Sequence, residues 1–239
     1  MLSTSPIRQA LGRGESRMPS QFVSKLVQVC EEECAFFGNG AKKEYKDSVF
    51  ERVGLYWSRL AEIPQYKSWA GYNGKSGVKL DKNGEPIKDG NRNQPWSAAF
   101  ISYVMHKAGA DDHFAYAPSH SVYIVRALDQ AKKAKPSSPF VARRHKQYSP
   151  KLGDLIACER KPAVDPNFDT YKSFVAQGKY EAHCDVVTEV HEKHVMTIGG
   201  NVSNSVTRKK WPLDAGKMIG NHDPLSATAG VICIIENRL

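Results

Sequence analysis

Apolar residues recur at helical spacing in two stretches near the beginning of the chain. Between Gln21 and Phe37 the recurring positions are Phe22, Leu26, Val29, Cys30, Cys34 and Phe37. A second stripe, between Ser48 and Leu60, contains Val49, Val53, Tyr56, Trp57 and Leu60. A spacing of three and four residues places such side chains on one face of a helix. Both stretches are therefore predicted to be amphipathic helices.

A third helix is predicted within the stretch from Asn93 to Gly109, where the residues from Ala98 to Ala108 leave almost no polar face, which is typical of a buried helix. Pro95 lies at or just before the predicted first turn, where no N–H is needed. Gly109 is predicted to end the helix. A fourth helix is predicted from Ser121 to Lys133, with Ser119 or Ser121 as its cap.

From Phe140 onward the pattern changes to short apolar or alternating runs, which are typical of strands. The predicted strands cover residues 140–142, 153–158, 183–191, 194–198, 202–208 and 229–235. Glu192-Lys193 is the predicted turn of one hairpin, and Gly199-Gly200-Asn201 is predicted to end that hairpin. Helices followed by hairpin-linked strands predict an α+β fold, with the N-terminal helices packed on an antiparallel sheet.

The segments predict one domain over residues 19–239, preceded by a disordered leader at residues 1–18. Two polar stretches, near residues 69–93 and 162–181, are predicted insertions, the second with a short helix. A chain of 239 residues that is 41% hydrophobic suits a single sizeable core.

The net charge of +9 favours a polyanionic partner, such as an anionic cell wall, anionic lipid or nucleic acid. The densest basic clusters are Arg143-Arg144-His145-Lys146 and Arg208-Lys209-Lys210. Neither belongs to a recognisable nucleic-acid-binding motif. A solvated basic surface is the simpler interpretation, and nucleic acid is not an expected partner.

Composition also limits the compartment and the cofactors. The chain contains no run of about 18 apolar residues, so no transmembrane segment is expected. Residues 1–20 lack the apolar core of a secretory signal peptide, so synthesis in the cytoplasm is expected. The five cysteines are an odd number at wide spacings, which favours reduced thiols. No metal-ligand or phosphate-binding motif is present, so neither a metal nor a cofactor is expected.

Ser97 is the first candidate for chemistry, because it lies in the first turn of the apolar helix. Backbone N–H groups and the positive end of the helix dipole converge there. The alternative is that Ser97 only caps the helix. His183 begins a predicted strand, and side-chain alternation places Asp185 on its face and Cys184 on the opposite face. A base with an orienting carboxylate or amide is what an activated nucleophile needs, and Asp185 and Asn201 both qualify as the orienting group.

Four short motifs occur in an order that resembles the CHAP and NlpC-type amidases and endopeptidases, papain-like enzymes of bacterial cell-wall turnover. The motifs are Pro95-Trp96-Ser97-Ala98-Ala99-Phe100, Gly153-Asp154-Leu155, His183 with Asp185-Val186-Val187, and Ile198-Gly199-Gly200-Asn201. The resemblance covers roughly residues 53–207. It is strongest to an uncharacterised bacterial branch, some of whose members accompany type VI secretion components.

The resemblance implies a papain-like fold and hydrolysis of an amide bond in peptidoglycan. Ser97 would be the nucleophile and His183 the base, oriented by Asn201 or Asp185. Apart from the resemblance, Trp96 is a candidate for binding a sugar face, but an anchor at the helix start is the favoured interpretation of this residue. His120 is a candidate for lining the cleft, and a capping or packing role is the alternative. The resemblance further implies an antibacterial toxin that acts in the periplasm of a target cell, with an immunity protein and a secretion-apparatus component as partners.

The nucleophile position departs from the family pattern, because the family has cysteine where this chain has Ser97. Three interpretations follow: a working serine nucleophile, a cysteine replaced by serine, or a site that has lost hydrolysis and binds cell-wall peptide or a partner protein. A hydroxyl is far less acidic than a thiol, so the helix dipole alone cannot ionise it. A working Ser97 would depend on proton removal by His183.

Overall fold

The computed structural model describes residues 18–44, 49–61, 95–160, 167–178 and 181–239. The predicted leader, apart from Met18, lies outside the described residues, and so does the predicted insertion near 69–93. Of the second predicted insertion, residues 167–178 are described.

Five α-helices are described, and each lies in a region where the sequence pattern predicts one. They are α1 (Gln21–Phe36), α2 (Val49–Ala61), α3 (Ser97–Ala108), α4 (His120–Ala131) and the short α5 (Tyr171–Ala176). Gly109 ends α3 in the left-handed region at φ 90°, which glycine adopts without steric cost. The short helix predicted near 162–181 is α5.

The strands form one antiparallel sheet of seven. They are β1 (Phe140–Arg143), β2 (Leu155–Glu159), β3 (Ala182–Val190), β4 (His194–Val202), β5 (Ser205–Pro212), β6 (His222–Asp223) and β7 (Ser226–Asn237). The order across the sheet is β1-β7-β2-β3-β4-β5, and β6 pairs with β7. The α+β class with helices and an antiparallel sheet is therefore confirmed.

The predicted end of the β3–β4 hairpin is wrong. Gly199, Gly200 and Asn201 do not end β4, which continues to Val202. Both positions require glycine, because side chains from neighbouring elements occupy the space where their Cβ atoms would lie. The register between β4 and β5 shifts between Gly199 and Val202, so the strand is irregular at this point.

The main core lies between the helices and the sheet, and α3 is at its centre. This helix packs against α1, α2, β3 and β4, and its residues from Ser97 to Met105 are all buried. A smaller cluster around Ile156, Trp211 and Ile234 covers the other face of the sheet. The start of α3 is consequently held next to the beginning of β3. Among the described helices, none is long and apolar enough to cross a membrane.

Candidate functional site

Ser97 is the first residue of α3, and its hydroxyl bonds to an imidazole rather than to the helix backbone. Trp96 occupies the N-cap position and makes no side-chain capping bond. The Oγ atom of Ser97 lies 2.7 Å from Nε2 of His120, and the Ser97 residue is only 2% exposed. The capping alternative for Ser97 is therefore wrong, because the cap position belongs to its neighbour and its oxygen is used elsewhere.

Trp96 anchors the start of α3 and does not form part of a substrate surface. It is 1% exposed, its indole N–H donates to the Glu44 carboxylate, and its ring stacks on Phe37 at 6.0 Å between centroids. A Cβ at Gly200 would lie 2.8 Å from Cζ3 of Trp96 and 2.5 Å from Cβ of Phe100. The expectation that Trp96 lines the cleft is wrong, since its whole side chain is used in packing.

His120 is the first residue of α4, and the sequence pattern placed it only at the cleft wall. Besides the Ser97 contact, its Nδ1 atom is hydrogen-bonded to the hydroxyl of Tyr123, one helical turn later. His120 is 4% exposed. Burial, followed by the charges of His183 and Arg160, lowers the pKa of His120 well below 6.5. At neutral pH His120 is therefore a neutral imidazole between two hydroxyl groups.

A second imidazole, that of His183, lies 5.4 Å from the His120 ring between centroids. It is 8% exposed, and its Nε2 atom lies 2.8 Å from Oδ1 of Asp185. When His183 is neutral, this bond requires the proton on Nε2 and leaves Nδ1 as an acceptor. That Nδ1 atom is buried and has no hydrogen-bond partner among the described residues. His183 is thus oriented, with one ring nitrogen free for a further partner.

Asp185 belongs to a buried group of charges that continues away from His183. Its Oδ2 atom lies 2.5 Å from Nζ of Lys209, and Nζ lies 2.5 Å from Oδ2 of Asp223. Burial raises the pKa of Asp185, but Lys209 and His183 lower it by more, so that the net shift is downward. Asp185 is therefore ionised at neutral pH, as an orienting carboxylate must be.

Gly199 gives the Asp185 carboxylate the room that it occupies. A Cβ at residue 199 would lie 1.7 Å from Oδ1 of Asp185 and 3.0 Å from Nε2 of His183. The position on β4 next to His183 therefore carries no side chain, and the carboxylate comes from β3 instead.

Asn201, the other predicted orienting residue, makes no hydrogen bond to His183 among the described residues. It has φ 59° near the end of β4, where the register with β5 shifts, and its backbone carbonyl accepts a 3.4 Å hydrogen bond from Nη2 of Arg160. Asn201 lines a pocket of about 180 Å³ together with His183 and Arg160. Of the two predicted orienting residues, Asp185 is therefore the one that is hydrogen-bonded to His183.

Of the predictions about the cysteines and the basic residues, one agrees with the structure and one does not. Cys184 is fully buried in the core on the helix side of β3, as side-chain alternation predicts. Lys209, in contrast, does not belong to a solvated surface, since it is only 3% exposed. The described residues contain no cluster of three or more His, Cys, Asp or Glu side chains arranged to hold a metal ion.

The arrangement can support acyl transfer. It combines a hydroxyl at a helix start, a neutral imidazole on its oxygen and a second imidazole held by a carboxylate. Sequence reasoning found Ser97, His183 and Asp185, but it missed the Ser97–His120 bond and the contributions of Lys209 and Asp223. Strand alternation could have indicated Lys209, because every second residue of a paired strand faces inward.

A family model described as "Uncharacterized protein conserved in bacteria (DUF2272)" matches residues 44–230, which is most of the chain. No curated protein and no solved structure shows significant similarity to the chain. The matched range includes every residue of the site from Ser97 to Asp223.

Proposed function

The chain belongs to the DUF2272 family of bacterial proteins, and we propose that it is a serine-dependent amide hydrolase of papain-like fold that cleaves peptidoglycan. The observation that carries the proposal is the 2.7 Å contact between Ser97 Oγ and His120 Nε2, next to the His183–Asp185 pair. The motif order implies a papain-like arrangement, in which a nucleophile at a helix start packs against an antiparallel sheet and an oriented histidine begins one of the strands. The positions of Ser97 and His183 support this proposal.

In the proposed mechanism Ser97 Oγ attacks the amide carbonyl while Nδ1 of His183 accepts the hydroxyl proton. The carboxylate of Asp185 on Nε2 then stabilises the imidazolium that forms. The imidazolium returns the proton to the leaving nitrogen as the C–N bond breaks, which gives an acyl-enzyme and a free amine. Water then attacks the acyl group and loses a proton to His183, and the imidazolium returns that proton to Ser97 Oγ as the ester C–O bond breaks, which releases the carboxylic acid and restores the Ser97 hydroxyl.

We assign proton transfer to His183 rather than to His120, although His120 is the one that contacts Ser97. Protonating His120 would place a charge in a fully buried position, and its lowered pKa expresses that cost. We assign to His120 the tautomer with a proton on Nε2, which donates to Ser97 Oγ and later to the oxyanion. Transfer to His183 requires the Ser97 hydroxyl to approach Nδ1, and catalytic hydrogen bonds commonly tighten only when substrate binds.

Peptidoglycan is the proposed substrate because the motif order resembles cell-wall amidases and endopeptidases, and the family is bacterial. A net charge of +9 also favours binding to an anionic wall. The scissile bond is then an amide of the stem peptide or of the sugar–peptide junction. The proposal extends to an antibacterial role in the periplasm of a target cell after type VI delivery, where an immunity protein would cover the cleft.

Digestion of purified peptidoglycan sacs, followed by mass spectrometry of the released fragments, tests the proposal. We expect fragments with the parent protein, none with Ser97→Ala, and none with His183→Ala. Ser97→Cys should retain cleavage, because a thiol is the more easily activated nucleophile. Ser102→Ala controls for lost stability, since it removes a buried hydroxyl of the same helix that is hydrogen-bonded to the backbone of Ala117, and its melting temperature is measured beside its activity. Absence of fragments with both the parent and Ser97→Cys would reject hydrolysis.

The variant His120→Gln distinguishes the proposed roles of the two histidines. Glutamine keeps an N–H that can donate to Ser97 Oγ but cannot accept a proton as imidazole does. We therefore expect His120→Gln to retain measurable turnover, whereas His183→Gln should lose about 10²–10⁴-fold, the range typical of general acid–base groups. The opposite ranking would assign proton transfer to His120.

A second candidate function is a binding module that holds cell-wall peptide without turnover. The observation that favours it is the burial of the reacting groups, with Ser97 at 2% and His120 at 4% exposure. Co-sedimentation with peptidoglycan sacs distinguishes the two candidates. Binding that survives His183→Ala, with no fragments from the parent protein, would support the module over the enzyme.

A further inference from the structure

Lys209 is a buried lysine with two carboxylate partners. It lies on β5 with 3% exposure, while Arg208 before it is half-buried and Lys210 after it is exposed. Its Nζ atom lies 2.5 Å from an oxygen of Asp185 and 2.5 Å from an oxygen of Asp223. Removing an ammonium group from water is strongly unfavourable unless it is paired and hydrogen-bonded. The two carboxylates therefore stabilise the Lys209 ammonium in its buried position, where water cannot.

The charges around Lys209 leave a negative charge next to His183. Burial lowers the pKa of Lys209, but Asp185 and Asp223 raise it by more, so it is a cation at neutral pH. The ammonium therefore lies between two carboxylates. The carboxylate that contacts His183 is that of Asp185, at 2.8 Å from Nε2.

The Asp185 carboxylate is held at both of its oxygens. Oδ1 accepts from His183 and Oδ2 accepts from Lys209. Because Gly199 has no side chain, no Cβ from β4 restricts the carboxylate on that side. Rotation of the carboxylate is then opposed by the bond to Lys209, whose own position is fixed by Asp223.

We propose that Lys209, held by Asp223, is a positioning residue for catalysis, whose ammonium fixes the Asp185 carboxylate against Nε2 of His183. This inference rests on the proposed function for its catalytic part. Its structural part, the orientation and tautomer of His183, is independent of any substrate. The competing explanation is an ion pair that serves stability alone, in which Lys209 only neutralises Asp223.

Two variants separate these explanations. Lys209→Met removes the ammonium that pairs with both buried carboxylates, whereas Lys209→Met combined with Asp223→Asn removes one charge of each sign. If Lys209 serves only to neutralise Asp223, the double variant should recover the properties of the parent. If Lys209 positions Asp185, the double variant folds but stays impaired. Lys210→Met, an exposed lysine on the same strand, is the matched control.

The first measurement is ¹⁵N NMR of the histidine ring nitrogens, which reports the tautomer of His183. We expect the Nε2–H form in the parent and in Lys210→Met, and a mixture of tautomers in the double variant. The second measurement is turnover on peptidoglycan sacs, where a loss of about 10–100-fold is expected, as for other residues that orient a catalytic histidine.

The pH profile complements the tautomer measurement. Asp185 is faced by Lys209 from β5 and by His183 on its own strand, and it is also within the electrostatic influence of His120 and Arg160. Removal of the Lys209 ammonium raises the pKa of Asp185 under either explanation, so the acid limb of turnover has to be compared together with the tautomer of His183. A shifted acid limb with a mixture of tautomers in the double variant supports positioning, whereas a uniform loss of turnover at every pH with parent-like tautomers would overturn it.

Parent-like NMR signals and parent-like turnover in the double variant would overturn the inference. Unchanged His183 signals in Lys209→Met would overturn it as well. If the parent protein does not cleave peptidoglycan, the proposed function fails, and the NMR comparison still decides whether Lys209 orients His183.

Discussion

Replacing Gly199 by alanine is expected to displace the Asp185 carboxylate and destabilise the protein. The new Cβ would lie 1.7 Å from Oδ1 of Asp185, whereas real Cβ atoms essentially never approach another heavy atom more closely than 3.0 Å. The carboxylate or the strand must therefore move by about 1.3 Å, the difference between these two distances. A movement of that size cannot preserve both the 2.8 Å bond to His183 and the 2.5 Å bond to Lys209.

The magnitude follows from the loss of one of these buried charged bonds. Breaking a buried ion pair costs about 3–5 kcal/mol, and the lower value applies because Asp185 keeps one partner. For a chain of this size 1 kcal/mol corresponds to about 2–4 °C in melting temperature. Gly199→Ala should therefore lower the melting temperature by roughly 6–12 °C, as measured by calorimetry.

Gly220→Ala is the matched control for this experiment. A Cβ at Gly220 would meet no atom within 4 Å, and Gly220 does not have the positive φ that strains other residues. Its melting temperature should stay close to that of the parent. Equal melting temperatures for Gly199→Ala and Gly220→Ala would refute the argument that Asp185 occupies the space beside residue 199.

Three further predictions concern the surroundings of the site. Tyr123→Phe removes the hydroxyl on Nδ1 of His120 and leaves a buried ring nitrogen unpaired, so urea unfolding should show a loss of about 1–3 kcal/mol; unchanged stability would contradict this contact. The pKa of Asp185 is lower in the folded state than in the unfolded state. The ionised Asp185 therefore contributes its full stabilisation above the unfolded-state pKa of about 3.9, and this stabilisation is lost as the pH falls through the lower folded-state pKa. Urea titrations between about pH 2 and pH 6 should therefore show a shallower acid loss of stability in Asp185→Asn than in the parent, and identical slopes would be evidence against the shift. Glu44→Gln replaces the charged acceptor of the Trp96 indole N–H, so chemical unfolding should show a loss of about 1 kcal/mol, and no change would mean that this bond does not anchor α3.

Periodicity predicts the helices and most of the strands because local sequence determines them. The apolar character of α3 and the glycine at residue 109 place both ends of the helix within one or two residues of the structure. Alternation along β3 places His183 and Asp185 on one face, where they are hydrogen-bonded, and Cys184 in the core. These features depend on contacts between residues close together in the chain or on the two-residue repeat of a strand.

The end of β4 could not be predicted, because its cause lies outside the local sequence. Consecutive glycines followed by asparagine are typical of a turn. Here Gly199 is required by the Asp185 carboxylate from β3, and Gly200 by Phe100 and Trp96 from α3. The burial of Lys209 could not be predicted for a related reason. Its basic neighbours indicate a solvated surface, and the carboxylates that permit its burial come from β3 and β6.

The contact between Ser97 and His120 joins the first residues of α3 and α4, and 22 residues of chain lie between these two residues. The local sequence around either residue does not predict this contact. Its consequence is that one hydroxyl has two imidazoles near it with opposite environments. His120 lies between the hydroxyls of Ser97 and Tyr123 in a fully buried position, which favours the neutral ring. His183 has the Asp185 carboxylate on Nε2. In the proposed mechanism this carboxylate stabilises the imidazolium, so the proton that leaves Ser97 would pass to His183 rather than to His120.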